Sequence, residues 1–270
     1  AAKGEDAARA TAALMALGQG SYTDEVRATL VAAGDSKNPE IRTAAMQQLL
    51  MRGGADGIAL AQKAVTGDDP QMAQAAMWQL HNVPIEDQER LLRLGLTSQL
   101  PEARAAAASA VASFGGSNNV SDLQGLLTDK ESAVRAAAVS ALAQVCTPEA
   151  NQLVIAQAQS GKTDDRVNAI GALAVVNTPE SEAALVQMMS DRDDQIAMSA
   201  ISASWNAGPE ADAVLVAALA TRSEDVQRAA AYQLRSRGVK LDADAEAKIK
   251  KLIGDDPYGG VGYGGWARAE

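Results

Sequence analysis

The feature that most constrains this chain is an alanine that returns at a step of 31 residues. It stands at Ala45, Ala76, Ala107, Ala138, Ala169, Ala200 and Ala230, where the final step shortens to 30. Four residues later come Leu49, Leu80, Val111, Leu142, Leu173, Ser204 and Leu234, and four residues earlier Ile41, Met72, Ala103, Val134, Asp165, Ile196 and Val226. Spacing of i, i+4 and i+8 puts the three columns on one helical stripe. A fixed period of this length marks an architecture in which each unit cannot bury its own stripe and stacks on its neighbours to do so. The unbroken alanine column has a steric reason. Helices of successive units cross there at short distance, and a larger side chain would push them apart.

Each period also holds another helix, over 147–159, 178–191 and 208–221. In Thr147-Pro148-Glu149 and Thr178-Pro179-Glu180 the threonine caps, the proline presets φ, and the glutamate complements the helix dipole. Gly53-Gly54, Gly115-Gly116 and Asn177-Thr178-Pro179 mark the joints between helices. The unit is therefore a helical hairpin of about 31 residues, and about eight copies fit between Glu5 and Ile253. The expected organisation is one solenoid over residues 1–254, with a degenerate N-terminal hairpin at 1–36, followed by a Gly/Tyr-rich tail at 255–270.

Composition supports an all-α chain. Aromatics are 3% of residues and Phe114 is the single phenylalanine, so runs such as Ala105-Ala106-Ala107-Ala108 must build the core from closely approached backbones. Alanine is also the strongest helix former. The formal charge of −10 repels a phosphate backbone, so no nucleic-acid partner is expected. No stretch approaches the roughly 20 apolar residues that span a bilayer, so no membrane insertion is expected. The lone Cys146 falls on the apolar stripe, where a buried and inert thiol is expected. The sequence starts Ala1-Ala2-Lys3, as an exported or periplasmic protein does after cleavage behind small residues, and a trimmed fragment would start in the same way.

Asp129 followed by Val134-Arg135-Ala136-Ala137-Ala138-Val139-Ser140-Ala141-Leu142 resembles the second helix of the bacterial short HEAT-like repeats. The likeness runs over nearly the whole chain up to about residue 253. It implies a right-handed α-solenoid whose second helices line a concave face. It also implies a ladder of buried Asp/Arg pairs between repeats. The arginine column here reads Arg42, Ala73, Arg104, Arg135, Arg166, Ala197 and Gln227, so the ladder is expected to be complete only in the middle repeats. Its arginines are expected to satisfy carboxylates and loop carbonyls instead of holding an anion.

Sequences similar to these repeats include phycobilin lyases, and related helical solenoids include DNA glycosylases. The first would need a chromophore pocket and the second a basic concave face, and neither has residue support here. His81 is the single histidine, which leaves no basis for a histidine triad, and one His with one Cys cannot supply the usual metal ligands. The acidic pairs Asp68-Asp69, Asp164-Asp165 and Asp193-Asp194 read as helix caps and turns. No catalytic residue, cofactor or metal is expected, and the chain is not expected to be an enzyme. The tail has glycines but no following Lys-Ser/Thr, so it is no phosphate loop.

On the face implied to be concave, three offset columns read Thr43, Gln74, Ala105, Ala136, Val167, Met198, Arg228; Gln47, Trp78, Ser109, Ser140, Gly171, Ser202, Tyr232; and Leu50, His81, Ala112, Ala143, Ala174, Trp205, Arg235. They outline a trough of small residues. Gln74, Trp78 and His81 flank one end, and Met198, Trp205, Arg228, Tyr232 and Arg235 the other. These eight residues are the expected contacts for a protein or peptide partner. The alternative is that the tryptophans cover loose packing between layers. Tyr258, Tyr263 and Trp266 in the tail are expected to dock on a solenoid surface, its own or that of a neighbouring copy, which would make the tail a route to self-association. The function expected is a non-enzymatic protein-binding scaffold or assembly module. The alternative is a structural subunit of a cell-envelope or extracellular assembly.

Overall fold

The structure, a computed structural model, describes residues 2–115, 120–221 and 223–254. The described residues form sixteen α-helices and no strand. They fall into two compact units, Ala1–Thr147 and Pro148–Glu270.

In the first unit α1 (Ala2–Gln19), α3 (Pro39–Met51), α5 (Pro70–Trp78), α7 (Pro101–Ala110) and α9 (Ser132–Val145) pack side by side in one row. Against α3, α5, α7 and α9 lie their hairpin partners α2 (Asp24–Ala33), α4 (Ala55–Thr66), α6 (Ile85–Leu96) and α8 (Val120–Leu126). A 3-10 turn at Leu80–Asn82 extends α5, and a π turn at Val111–Gly115 extends α7. In the second unit the row is α11 (Thr163–Val176), α13 (Asp194–Ala203) and α15 (Glu224–Arg237). Its hairpin partners are α10 (Pro148–Gln159), α12 (Pro179–Met188) and α14 (Pro209–Thr221), and α16 (Ala243–Ile253) packs on α14 and α15. Each unit is thus an all-α solenoid of stacked hairpins, as the repeat requires.

The row helices carry the alanine column, and all seven of its members have 0% exposure. Small side chains let adjacent backbones meet, and glycine does so between the layers. A Cβ on Gly57 of α4 would stand 2.7 Å from the Leu50 backbone nitrogen of α3, and one on Gly95 of α6 would stand 2.8 Å from Ala107 Cβ of α7. Polar starts hold the helices in register. Asn38, Asp69 and Asp193 accept from first-turn N–H groups of α3, α5 and α13, and Thr178 forms a reciprocal capping box with Ser181 in α12.

The arginine ladder is structural and reaches further than the sequence suggests. Arg42 pairs with Asp69, Arg104 pairs with Asp129 through two bonds of 2.7 and 2.9 Å, and Arg166 pairs with Asp191 at 2.5 Å. Each of these arginines also donates to a carbonyl just upstream: Ser36, Ser98 and Ala158. A second set is formed by Arg52 and Arg237, one at each equivalent helix end. Arg52 donates to the carbonyls of Gly18 and Gly20, and Arg237 to Gly208 at 2.9 Å as well as to Asp212 at 2.8 Å.

Cys146 corrects an expectation, because it is exposed and not buried. It stands one turn beyond the stripe, at the C-terminal stop of α9, with φ of 54°. The equivalent stops Gly53, Asn177 and Gly238 share this left-handed conformation, with φ of 67°, 49° and 64°. The helix has ended by this residue, so the stripe no longer points it inward.

Candidate functional site

The exposed face of the row helices carries the partner residues expected from sequence, and each unit presents its own set. In the first unit Trp78 ends α5 with 63% exposure, while Gln74, one turn earlier, is half-buried. His81 is exposed in the turn that follows. Its Nδ1 lies 3.1 Å from the Trp78 carbonyl oxygen and its Nε2 3.0 Å from the Asn82 amide nitrogen, an arrangement in which Nδ1–H donates and Nε2 accepts. The ring is therefore pinned against the backbone of its own turn. The neighbouring row helices α7 and α9 present Ser109 and Ser140 exposed and Ala105 and Ala136 half-buried, which is the small-residue floor expected. The third column is less open, since Leu50 and Ala143 are buried.

In the second unit Met198 and Trp205 come together in a shallow groove of about 510 Å³ between α11 and α13. Val167, Ile170, Gly171 and Ala174 supply the α11 side, and Ser202 joins Met198 and Trp205 on the other. Trp205 is 67% exposed. Arg228, Tyr232 and Arg235 lie on α15, outside the groove lining, and are half-buried. Arg228 pairs with Glu224 at 2.6 Å along its own helix, so much of its charge is locally balanced. Trp78 and Trp205 both keep most of their surface open to solvent. Tyr258, Tyr263 and Trp266 lie outside the described residues.

Of the exposed apolar residues that escaped the sequence reading, three are the most open: Met51 at 60%, Ile85 at 82% and Val175 at 67%. All three sit at row-helix ends or at the start of the following helix, where periodicity carries no signal. Another groove, about 580 Å³, lies on the partner-helix layer of the first unit, between α6 and α8. Its lining of Glu86, Glu89, Arg90, Arg93 and Asp122 is largely self-neutralising. Arg93 bonds Glu89 at 3.0 Å. It lacks the exposed aromatic anchors of the row-helix face. Among the described residues no group of three or more His, Cys, Asp or Glu side chains could hold a metal ion, and no helix is long and apolar enough to cross a membrane.

The electrostatics follow the ladder. The Arg104 guanidinium holds the Asp129 carboxyl below its ordinary value, chiefly by the direct hydrogen bond, and Asp129 in turn holds the guanidinium proton more tightly. Asp56 is lowered in the same way by its bond to Arg27.

The family model for HEAT repeats matches residues 89–166. No curated protein matches the chain. Among solved structures it is similar to YibA of Escherichia coli, at 19% identity over 89% of this chain and 95% of that one, with a TM-score of 0.52. A homology model of the full-length AP-3 complex matches 92% of this chain and 51% of its own, at 14% identity and a TM-score of 0.58. A Kap121p mutant matches 87% of this chain and 32% of its own, at 13% identity and 0.54. With the buried alanine column and the inter-repeat arginine ladder, these matches show HEAT repeats over residues 89–166 and a likeness of fold to all-α solenoids over most of the chain.

Proposed function

We propose that this chain is a non-enzymatic protein-binding scaffold or assembly module that receives a protein or peptide on the row-helix faces. The observation that carries this reading is the pair Trp78, at the end of α5, and Trp205, in the turn after α13, 63% and 67% exposed beside faces rich in small residues. Exposing a large ring to water is unfavourable, and tryptophan is the side chain most enriched where a few residues supply most of the binding energy at a protein contact. The flat floor around each ring lets a partner backbone approach closely. The same fold holds a protein in Kap121p, solved bound to Pho4p with a TM-score of 0.54 to this chain at 13% identity, a likeness of fold alone.

The test is to isolate the full chain with whatever it binds, identify the bound material by mass spectrometry, and measure its affinity for wild type, Trp78→Ala and Trp205→Ala. Both substitutions are at exposed positions and should leave stability within about 0.5 kcal/mol. A protein partner whose affinity drops by ~10-fold or more in at least one variant, a loss of about 1.4 kcal/mol, is the expected result. A turnover activity in the absence of any bound protein, or a partner indifferent to both changes, refutes the proposal.

A further inference from the structure

We infer that the groove between α11 and α13 is a docking site for a segment of another protein that presents a bulky apolar side chain between lysines or arginines. The inference rests on the protein-binding reading above and names the partner chemistry for one of its surfaces.

The first argument is a glycine the fold does not need. Glycine inside a helix weakens it relative to alanine, so it calls for a packing or functional reason. Gly57 and Gly95 have packing reasons, since a Cβ on either would strike a neighbouring helix. Gly171, in the interior of α11, has none: a Cβ there meets nothing within 4 Å. Gly125 of α8 is equally free, but Gly171 alone of the two lines a groove. Its missing side chain leaves the floor open beneath Met198 and Trp205, where a guest side chain can reach the α11 backbone.

The second argument is charge. Between residues 162 and 212, which span the cap of α11 to the first turn of α14, the sequence has nine carboxylates against Lys162, Arg166 and Arg192, and of the nine Asp212 is taken up by Arg237. Arg166 is committed to Asp191. Exposed Asp164 stands at the start of α11, and exposed Glu180 and Glu210 stand at the starts of α12 and α14, just past the ends of α11 and α13. The apolar groove is therefore bordered by negative charge at both ends of its helices, and a segment with cationic flanks and an apolar centre complements it. The same charge disfavours two other occupants. A second copy brings a formal −10 of its own, and residues 255–270 bring Asp255, Asp256 and Glu270 against Arg268.

Fluorescence anisotropy on the full chain tests the assignment with labelled peptides. One has a Phe-Leu centre flanked on both sides by lysines, a second has glutamates in place of the lysines, a third has Gly-Ser in place of Phe-Leu, and a fourth copies residues 255–270. The lysine-flanked Phe-Leu peptide should bind wild type, and Gly171→Leu and Trp205→Ala should each weaken it by ~10-fold or more. Gly171→Leu fills the groove at a position with room for it and raises helix propensity, so its thermal midpoint should be unchanged or higher and its lost binding cannot be put down to misfolding. Ile85→Ala, an exposed apolar change at the start of α6 in the other unit, should leave this peptide's affinity unchanged. Equal affinity for wild type and Gly171→Leu overturns the groove as the site. Binding of the Gly-Ser peptide as tight as that of the Phe-Leu peptide overturns the apolar anchor. Tighter binding of the glutamate-flanked peptide or of the 255–270 peptide overturns the cationic partner. If no peptide binds while a captured protein partner still depends on Trp78, the groove assignment fails and the scaffold reading stands.

Discussion

Replacing Arg104 with leucine tests what the ladder contributes. Arg104 is 8% exposed, and all three of its guanidinium nitrogens donate: Nε and Nη2 to Asp129 at 2.7 and 2.9 Å, and Nη1 to the carbonyls of Ser98 and Gln99 at 2.8 and 3.1 Å. Leucine keeps apolar volume but leaves Asp129, whose side chain is 10% exposed, with the Glu131 N–H as a remaining donor at 2.9 Å. Breaking one side of a buried pair costs about 3 to 5 kcal/mol, and since the pair lies beside turns that admit water, a loss near 3 kcal/mol is expected. With a urea m-value of about 1 to 3 kcal/mol/M, the unfolding midpoint should fall by roughly 1 to 3 M. Arg27→Leu is the control, because Arg27 makes the same kind of bidentate pair with Asp56, at 2.5 and 3.0 Å, with a side chain 53% exposed. Solvent screens that pair, and no measurable shift is expected. The pH dependence has a definite sign. Asp129 titrates lower in the folded chain than in the unfolded one, so the pair's contribution is complete above the unfolded value near pH 4 and is lost as pH falls through the lower folded value. The gap between wild type and Arg104→Leu should therefore close on acidification below about pH 4. Equal midpoint shifts for the Arg104 and Arg27 variants, or a gap that widens in acid, would refute this account.

Ala138→Leu should overpack the seam between row helices and destabilise by about 1 to 3 kcal/mol, whereas Ala136→Leu, half-buried on the open face, should be mild. Equal melting shifts for the two would show that the stripe faces another way. Cys146→Gly should stabilise by about 0.5 to 1 kcal/mol, since a non-glycine residue at φ of 54° is strained and glycine is at ease there; a lower melting temperature would contradict it. Binding to duplex DNA should stay at the non-specific level at physiological salt, and a gel-shift affinity in the nanomolar range would overturn the charge argument.

The sequence by itself determined the repeat, the hairpin, the buried stripe and the face on which Trp78 and Trp205 would stand. These are local matters. Periods of 3.6 and 31, a proline after a cap, and a column that tolerates only alanine are all written along one strand of text. What the tertiary structure decided concerns how far each neighbour reaches. Arg42 finds Asp69 outside the middle repeats, and Arg52 and Arg237 reach back about one repeat, to turns 32 or more and 29 residues away, but neither belongs to a column that recurs from repeat to repeat in the sequence. Cys146 and Asn177 close their helices where the stripe would have carried on, because the chain must turn to enter the next hairpin. The groove at Gly171 was visible only as one letter in a column of small residues. Whether a small residue marks close packing or open space depends on the crossing helix above it. Gly95 and Gly171 show both outcomes: a Cβ added to the first meets Ala107, and one added to the second meets nothing.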